Sequence, residues 1–344
     1  MLLYKYQSCT EVHLYSFVRF AHFSLFTQEE KYKKRKGEAY LNYEEFLQEM
    51  EKRVRMRVGK EVRVCIFPVR KNNSIVLDGL TILEQDHNLA PVIYLNTYYQ
   101  DYLAGVTEEQ IADRIVSCFH QQNTRKRIDI SFYTDPLQVK ERIVCRLINY
   151  EKNRRLLEEI PYRMFLNLAV VYYYLLECGE IGPAVILVRN EHMRMWEMNE
   201  AMLHAIAEEN TRKLLPCDFM SMGDMMNSMM AQEELQSLGL DLSEDEQPFQ
   251  MYVLTNQSKS FGAIWMTDEN VLEEIGNRLM QDYYILPSSV HECMVVPVKN
   301  GMDEKQLQEM VREINETQVD PEEVLGDTVY RYSRQRRKLL EVPA

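Results

Sequence analysis

Apolar and polar positions along the chain change period several times, and each change marks an element. From Leu41, the string Leu41-Asn42-Tyr43-Glu44-Glu45-Phe46-Leu47 spaces apolar residues at helical intervals and predicts a helix over Asn42–Val58. Apolar runs around Val62–Val69 and Ser74–Leu83 predict strands. They are joined at Lys71-Asn72-Asn73-Ser74, where Asn tolerates the positive φ of a hairpin turn. A strand at Val92–Leu95 follows, then a helix at Glu108–Phe119 that Thr107 caps and acidic residues open. Asp129–Tyr133 reads as a strand. Asp135-Pro136 opens a helix whose apolar spacing predicts that it runs to about Leu157.

The plan then repeats. Phe165–Leu176 and Ala184–Val188 read as strands around a turn through Gly179 and Gly182, and Asn199 caps a helix reaching about Asn210. Further on come strands Gln250–Thr255 and Gly262–Met266, helix Asp268–Met280, a hairpin of Tyr283–Leu286 and Cys293–Val298, and helix Asp303–Ile314. Val329–Tyr332 reads as a last strand, and the basic stretch Arg334–Lys338 as a frayed tail. Val92–Leu95 runs into Asn96, Ala184–Val188 precedes Asn190, and Gly262–Met266 precedes Asp268. Three loose copies of a hairpin followed by a helix suggest duplication, with convergent strand-to-helix grammar as the alternative. The expected fold class is α+β, with three units at 41–160, 161–238 and 250–333 packed as one or two domains. An acidic linker at 239–249 separates the last two, and 334–344 is the tail.

The first forty residues do not fit this grammar. Leu14–Phe26 is an aromatic run broken by Arg19 and His22, shorter than the roughly 20 apolar residues of a membrane span and without a small-residue cleavage site. Lys36-Gly37-Glu38 can be encoded by a purine-rich ribosome-binding core, with Leu41 as an alternative start codon downstream. Residues 1–40 are therefore expected to be a translated leader or disordered extension.

Charge narrows the function classes. The net charge of −13 opposes nucleic-acid and anionic-membrane binding, both of which draw on Lys and Arg. The seven cysteines stand singly, mostly in apolar runs, with no metal-knuckle or redox-pair spacing, and point to a reducing, cytoplasmic setting. Glycine-rich phosphate loops are absent, and neither a cofactor nor a metal is predicted.

Candidate chemistry concentrates in a few places. In Pro287-Ser288-Ser289-Val290-His291-Glu292, a hydroxyl (Ser289), an imidazole (His291) and a carboxylate (Glu292) could do nucleophilic or acid/base work. Without an orienting third group, a solvated hairpin loop is the competing reading. Asn190, His192 and Trp196 lie at a strand-to-helix turn and could line a pocket, or Trp196 could cover the core edge. Asn96, Tyr98 and Tyr99 occupy the matching place in the first unit. Met220–Met230 holds six of twenty methionines, and Met222, Met225, Met226, Met229 and Met230 share one helical face. A core-facing helix leads there, ahead of a partner-binding stripe through Met225 and Met229 and of Cu(I) ligation. The predicted helix Val139–Leu157 carries Lys140, Arg142, Arg146, Lys152, Arg154 and Arg155, a solvated face or a dock for an acidic partner.

Several strings resemble an uncharacterised bacterial family, the domain-of-unknown-function family 5688. They include Leu77-Asp78-Gly79-Leu80, Ile93-Tyr94-Leu95-Asn96, Leu147-Ile148-Asn149-Tyr150-Glu151, Asn190-Glu191-His192, Met251-Tyr252-Val253-Leu254-Thr255-Asn256 and Ile285-Leu286-Pro287-Ser288-Ser289. The resemblance spans Leu41–Tyr332, and a fainter likeness of layout points to family 1444. Both direct attention to the 287–292 loop, and neither implies an activity. The expected function is a non-enzymatic module binding a protein partner or small ligand. A hydrolase using Ser289, His291 and Glu292 is the alternative.

Overall fold

A computed structural model of the chain describes residues 4–5, 40–59, 61–84, 90, 92–122, 133, 135–177, 183–229, 251–287, 289–298 and 303–343. Helices and antiparallel sheets are both present, so the class is α+β.

The first unit is built on helix α1 (Tyr43–Val58). Asn42 accepts from the Glu45 amide and the Glu45 carboxylate accepts from the Asn42 amide, a reciprocal cap that satisfies two donors with no helical partner. Phe46, Met50 and Val54, four apart, are buried. They pack on one face of the three-stranded sheet β2 (Arg63–Arg70), β3 (Val76–Leu83) and β4 (Val92–Tyr94), together with α2 (Leu95–Leu103) and α3 (Glu108–Gln122). The β2–β3 turn adopts the positive φ that its asparagines predicted, at Asn73 (58°) and Ser74 (58°).

A second sheet contains β5 (Ile143–Asn149), β6 (Tyr162–Phe165), β7 (Leu168–Glu177) and β8 (Pro183–Leu187). Of the stretch read as a leader, Tyr4 and Lys5 form a short strand, β1, opposite Val185 and Ala184 of β8; the other positions of 1–39 lie outside the described residues. Here the helix expected from Asp135 to Leu157 is corrected. Asp135 caps only the four-residue α4 (Pro136–Val139), and Ile143–Asn149 is a strand in register with Tyr174–Leu168 of β7. Val139, Ile143, Val144, Leu147 and Ile148 satisfy helical spacing, but Ile143, Cys145 and Leu147 also satisfy a period of two, and pairing with the aliphatic and tyrosine-rich stretch Leu168–Tyr174 of β7 decides the matter. The basic residues assigned to that helix are thus spread over the turn after α4 (Lys140, Arg142), β5 (Arg146), the 3-10 turn Glu151–Asn153 (Lys152) and the short α5 (Arg154–Leu157). Two further helices follow β8, α6 (Asn190–Met195) and α7 (Glu200–Leu214).

The third sheet has six antiparallel strands in the order β14-β13-β11-β12-β10-β9. These are β9 (Cys217–Ser221), β10 (Tyr252–Asn256), β11 (Tyr283–Leu286), β12 (Cys293–Pro297), β13 (Tyr330–Ser333) and β14 (Lys338–Glu341). Its helices are α8 (Met222–Met229), α9 (Glu269–Leu279) and α10 (Glu304–Thr317). β5 pairs with the strands after 161, and β9 with those after 250, so both sheets cross the boundaries read from the sequence. The frayed tail is corrected as well. A turn through Arg337 (φ 51°) returns Lys338–Glu341 onto Ser333–Tyr330, and the Val342 amide donates to Val329 O at 2.9 Å. Asp129–Tyr133 (except Tyr133), the Gly179–Gly182 turn, Met230, the acidic linker and Ser288 lie outside the described residues.

The third aligned strand, Gly262–Met266, is a 3-10 helix over Gly262–Thr267. Its run is apolar because it lies between the second and third sheets, where Ile264, Trp265 and Met266 share one core with Cys145, Leu147, Tyr283 and Ile285. Full burial removes the alternation that would have told turn from strand. Asparagines tie the first unit to the rest. The Asn73 amide donates to Asn153 Oδ1 (2.8 Å), and Asn73 Nδ2 donates to the carbonyls of Pro321 (2.8 Å) and Val324 (2.7 Å).

Candidate functional site

Helix α7 carries His204, Glu208 and Arg212 four residues apart, hence on one face. Asn199 caps its start, accepting from the Met202 amide at 2.9 Å. The helix is bolted to β5: Asn210 Nδ2 donates to the carbonyls of Lys140 (2.7 Å) and Ile143 (2.9 Å), and the Cys145 amide donates to Thr211 Oγ1 (2.9 Å). The face it presents lines a cleft of about 430 Å³. Opposite stand Arg163 and Phe165 of β6; Ile264, Trp265 and Thr267 form another wall, and Asp268 and Asn270 at the start of α9 close the end.

Polar contacts run through the cleft as a chain. The Tyr172 hydroxyl lies 3.2 Å from His204 Nδ1, and His204 Nε2 is 3.9 Å from Glu208 Oε2. Arg212 donates to Glu208 (2.7 Å) and, through two nitrogens, to Asp268 Oδ2 (3.1 and 2.9 Å). Asp268 Oδ1 caps α9 by accepting from the amides of Asn270 (2.9 Å) and Val271 (3.2 Å). Burial, and then the positive charge of Arg163, push the His204 pKa below the usual imidazole value, while Glu208 pulls the other way; the ring is neutral at pH 7. Arg163 is exposed and makes no ion pair among the described residues. The buried Cys145 and Val170, with Ile264 and Trp265 of the wall, make part of the lining apolar. Burial also pushes the Cys145 thiol up to about 12, so it is no nucleophile near neutrality.

The residues singled out in the sequence fall elsewhere. Ser289, His291 and Glu292 are 2%, 3% and 6% exposed, so these three side chains are not a solvated tip. Ser289 Oγ donates to Glu292 Oε1 (2.9 Å) and accepts from the amides of His291 (3.0 Å) and Glu292 (3.3 Å). His291 Nδ1 accepts from the Phe261 amide at 3.3 Å, which places the ring proton on Nε2, 3.4 Å from Glu323 Oε1. The imidazole thus addresses Phe261 and Glu323, not the Ser289 hydroxyl. Burial drives Glu292 up to about 7, with Glu323 adding to the effect, and drives His291 down to about 3, helped by Arg146.

Trp196 covers the core edge, 2% exposed, its Nε1 donating to Tyr133 O at 2.8 Å. His192 Nδ1 lies 2.8 Å from the Tyr133 hydroxyl, and Asn190 Nδ2 donates to Glu158 O at 3.2 Å. These partners are distinct from Phe261 and Glu323, which His291 addresses, and from the Ser289–Glu292 pair. In the first unit, Asn96 Oδ1 accepts from the Asp78 amide (2.9 Å), the Tyr99 hydroxyl donates to Leu41 O (3.2 Å), and Tyr98 packs against the core. All three serve the local fold. Met225 is buried with Met222 beneath α8, against Val253 and Tyr284, which is the core-facing reading; Met229 ends that helix. Among the described residues no group of His, Cys, Asp or Glu is placed to hold a metal, and no helix is long and apolar enough to cross a membrane.

His204 was missed although its helix was predicted. The spacing of His204, Glu208 and Arg212 was the available signal, but such spacing marks any solvated helix face. Arg163 gave no signal, because the strand reading began after it.

Residues 43–334 match the family of unknown function DUF5688, and the chain belongs to that family, as the strings from Leu77 to Ser289 implied. No curated protein and no solved structure matches it.

Proposed function

We propose that the protein is a non-enzymatic, cytoplasmic binding module whose cleft between β6, α7 and the Gly262–Asn270 segment takes a small ligand bearing an acidic group. The observation that carries the reading is Arg163 beside a neutral His204. In a chain with 53 acidic and 40 basic residues a carboxylate partner is easily found, yet Arg163 has none among the described residues. In the tautomer in which Nδ1 accepts from the Tyr172 hydroxyl, the His204 ring proton sits on Nε2, on the Glu208 side of the cleft lining, as a second donor. The apolar part of the lining accommodates the rest of the ligand, as small-molecule sites do. The hydrolase alternative is weaker because, among the described residues, the Ser289 hydroxyl is paired with Glu292 and not with an imidazole, and its side chain is buried. The five described cysteines are free thiols, in keeping with a reducing compartment.

A thermal-shift screen of small carboxylates and phosphate esters against the wild type and Arg163→Gln tests this. A hit whose stabilisation falls by roughly tenfold in affinity in the variant is expected, from loss of a charge-assisted contact. Hits that ignore the substitution would defeat the assignment.

A further inference from the structure

Strand β5 turns alternate residues to opposite faces. Cys145 lines the cleft, so Arg146 points to the other side of the sheet. There its guanidinium carbon lies 4.7 Å from the ring centre of Phe261 and 5.3 Å from that of Tyr173. The two rings stack on each other at 5.6 Å and 28°. Arg146 is half-buried, its side chain forms no hydrogen bond or ion pair among the described residues, and its Nε is fully covered with no acceptor. The carboxylates of the neighbouring loop are engaged elsewhere, Glu292 with Ser289 and Glu323 with His291.

The backbone that brings Phe261 to this place is strained. Phe261 (φ 61°) and Lys259 (φ 53°) both adopt the left-handed region that non-glycine residues avoid. The strain is held by Asn256, which accepts from the Ser258 hydroxyl (2.8 Å) and the Ser260 amide (3.2 Å) and donates to Ser260 O (2.5 Å). Backbone strain of this kind persists where surrounding structure over-determines it, and it gathers at binding and switch sites. Its effect here is to place an aromatic face under a guanidinium. A guanidinium stacked on rings keeps its in-plane N–H donors available, here those of the two terminal nitrogens because Nε is covered, and has lost much of its rotamer freedom before any partner arrives.

We propose that Arg146 anchors a second binding site, on the sheet face opposite the cleft, for an oxyanion group: a carboxylate or a phosphate. The planar fork matches either group through paired N–H donors. Phe261 and Tyr173 fix its orientation, and neutral His291 adds no competing charge. The site is separate from the Arg163 cleft and does not depend on it.

Side-chain NMR of 15N-arginine-labelled protein, titrated separately with acetate and with inorganic phosphate, tests the site. A saturable shift of the Arg146 Nε–H signal is expected with at least one probe, and the tighter of the two names the oxyanion. Arg146→Lys keeps the charge over the rings and removes the fork, so affinity, followed in that variant through the Phe261 amide, is expected to fall roughly tenfold. Arg163→Gln is expected to leave the Arg146 titration unchanged. Absence of a saturable shift with both probes overturns the proposal. So does an Arg146 shift that disappears in Arg163→Gln, since the response would then belong to the cleft. Unchanged affinity in Arg146→Lys likewise overturns the role of the fork.

Discussion

The backbone amide of Phe261 donates to His291 Nδ1 across 3.3 Å, and this bond ties the buried 289–292 loop to a wall of the cleft. Phe261 leads directly into the Gly262–Thr267 turn, whose Ile264, Trp265 and Thr267 line the cleft. The far end is fixed by Trp265 Nε1 donating to Leu215 O at 3.0 Å, and Thr255 Oγ1 donates to His291 O at 2.9 Å. The loop with the most suggestive chemistry in the sequence is therefore built into the support of the cleft wall.

Gly262 is where that support is tightest. A Cβ there would lie 2.4 Å from Thr255 Oγ1, 2.5 Å from the His291 carbonyl oxygen and 2.6 Å from Thr255 Cα, and the last two are backbone atoms. Gly262→Ala is expected to cost about 3 kcal/mol, in the range of overpacking a filled core. Urea denaturation measures it, and a wild-type midpoint would show that the turn relaxes freely.

The two buried titratable groups of the loop act on stability in opposite senses. His291 has a folded pKa of about 3 against an ordinary 6.5, so the unfolded chain binds more protons between those values. Its contribution is present above pH 6.5 and is lost as pH falls through that window. Glu292 has a folded pKa of about 7 against 4.5, so the folded chain holds its proton longer. Its contribution is present below pH 4.5 and is lost as pH rises toward 7. Glu292→Gln keeps an acceptor for Ser289 and removes the second effect. Its urea midpoint is expected to exceed that of the wild type above pH 7 and to converge with it near pH 4.5. Parallel profiles would mean that Glu292 does not titrate as its burial implies.

The legible parts of the fold were those with local punctuation. The helix starts at Asn42, Asp268 and Asp303, the Asn72-Asn73 turn and the Tyr283–Leu286 hairpin partner all carry their signal within a few residues. The strand Ile143–Asn149 and the turn Gly262–Thr267 were misread for a common reason: each is a short apolar run whose state is set by what packs on both sides. The cleft was illegible because it joins Arg163, His204 and Asp268, which no sequence pattern relates.

Asn73 joins the first unit to the strap at 320–326. Its side chain donates to Pro321 O and Val324 O and accepts from Asn153 Nδ2 at 3.1 Å, all at positive φ. Asn73→Ala is expected to cost about 2–4 kcal/mol, from orphaned buried carbonyls and a strained backbone. Asn73→Gly is expected to recover about 1 kcal/mol of it by relieving the strain alone. Hydrogen exchange should rise in both variants at 150–153 and 320–326. Protection there equal to the wild type would show that the units dock without this residue.

The protonation of His204 reports on the cleft directly. Arg163 lowers its pKa and Glu208 raises it, after the larger effect of burial. Arg163→Gln should therefore move the His204 midpoint upward and Glu208→Gln should move it downward, both followed by NMR of the imidazole. Equal midpoints in all three proteins would place Arg163 too far from His204 for the two to share a ligand.

Asp268 has two duties that substitution can separate. It caps α9 through Oδ1 and holds Arg212 through Oδ2. Asp268→Ala loses both and is expected to cost about 1–2 kcal/mol, mostly from the cap. Asp268→Asn keeps an oxygen for the cap and weakens only a partly exposed ion pair, so about 0.5 kcal/mol is expected. The released Arg212 guanidinium then faces the cleft beside Arg163, and acidic ligands should bind more tightly to Asp268→Asn than to the wild type. Calorimetry with a hit from the thermal-shift screen decides: weaker binding would mean that Asp268 itself holds the ligand, and that the acidic group is recognised elsewhere than in this cleft.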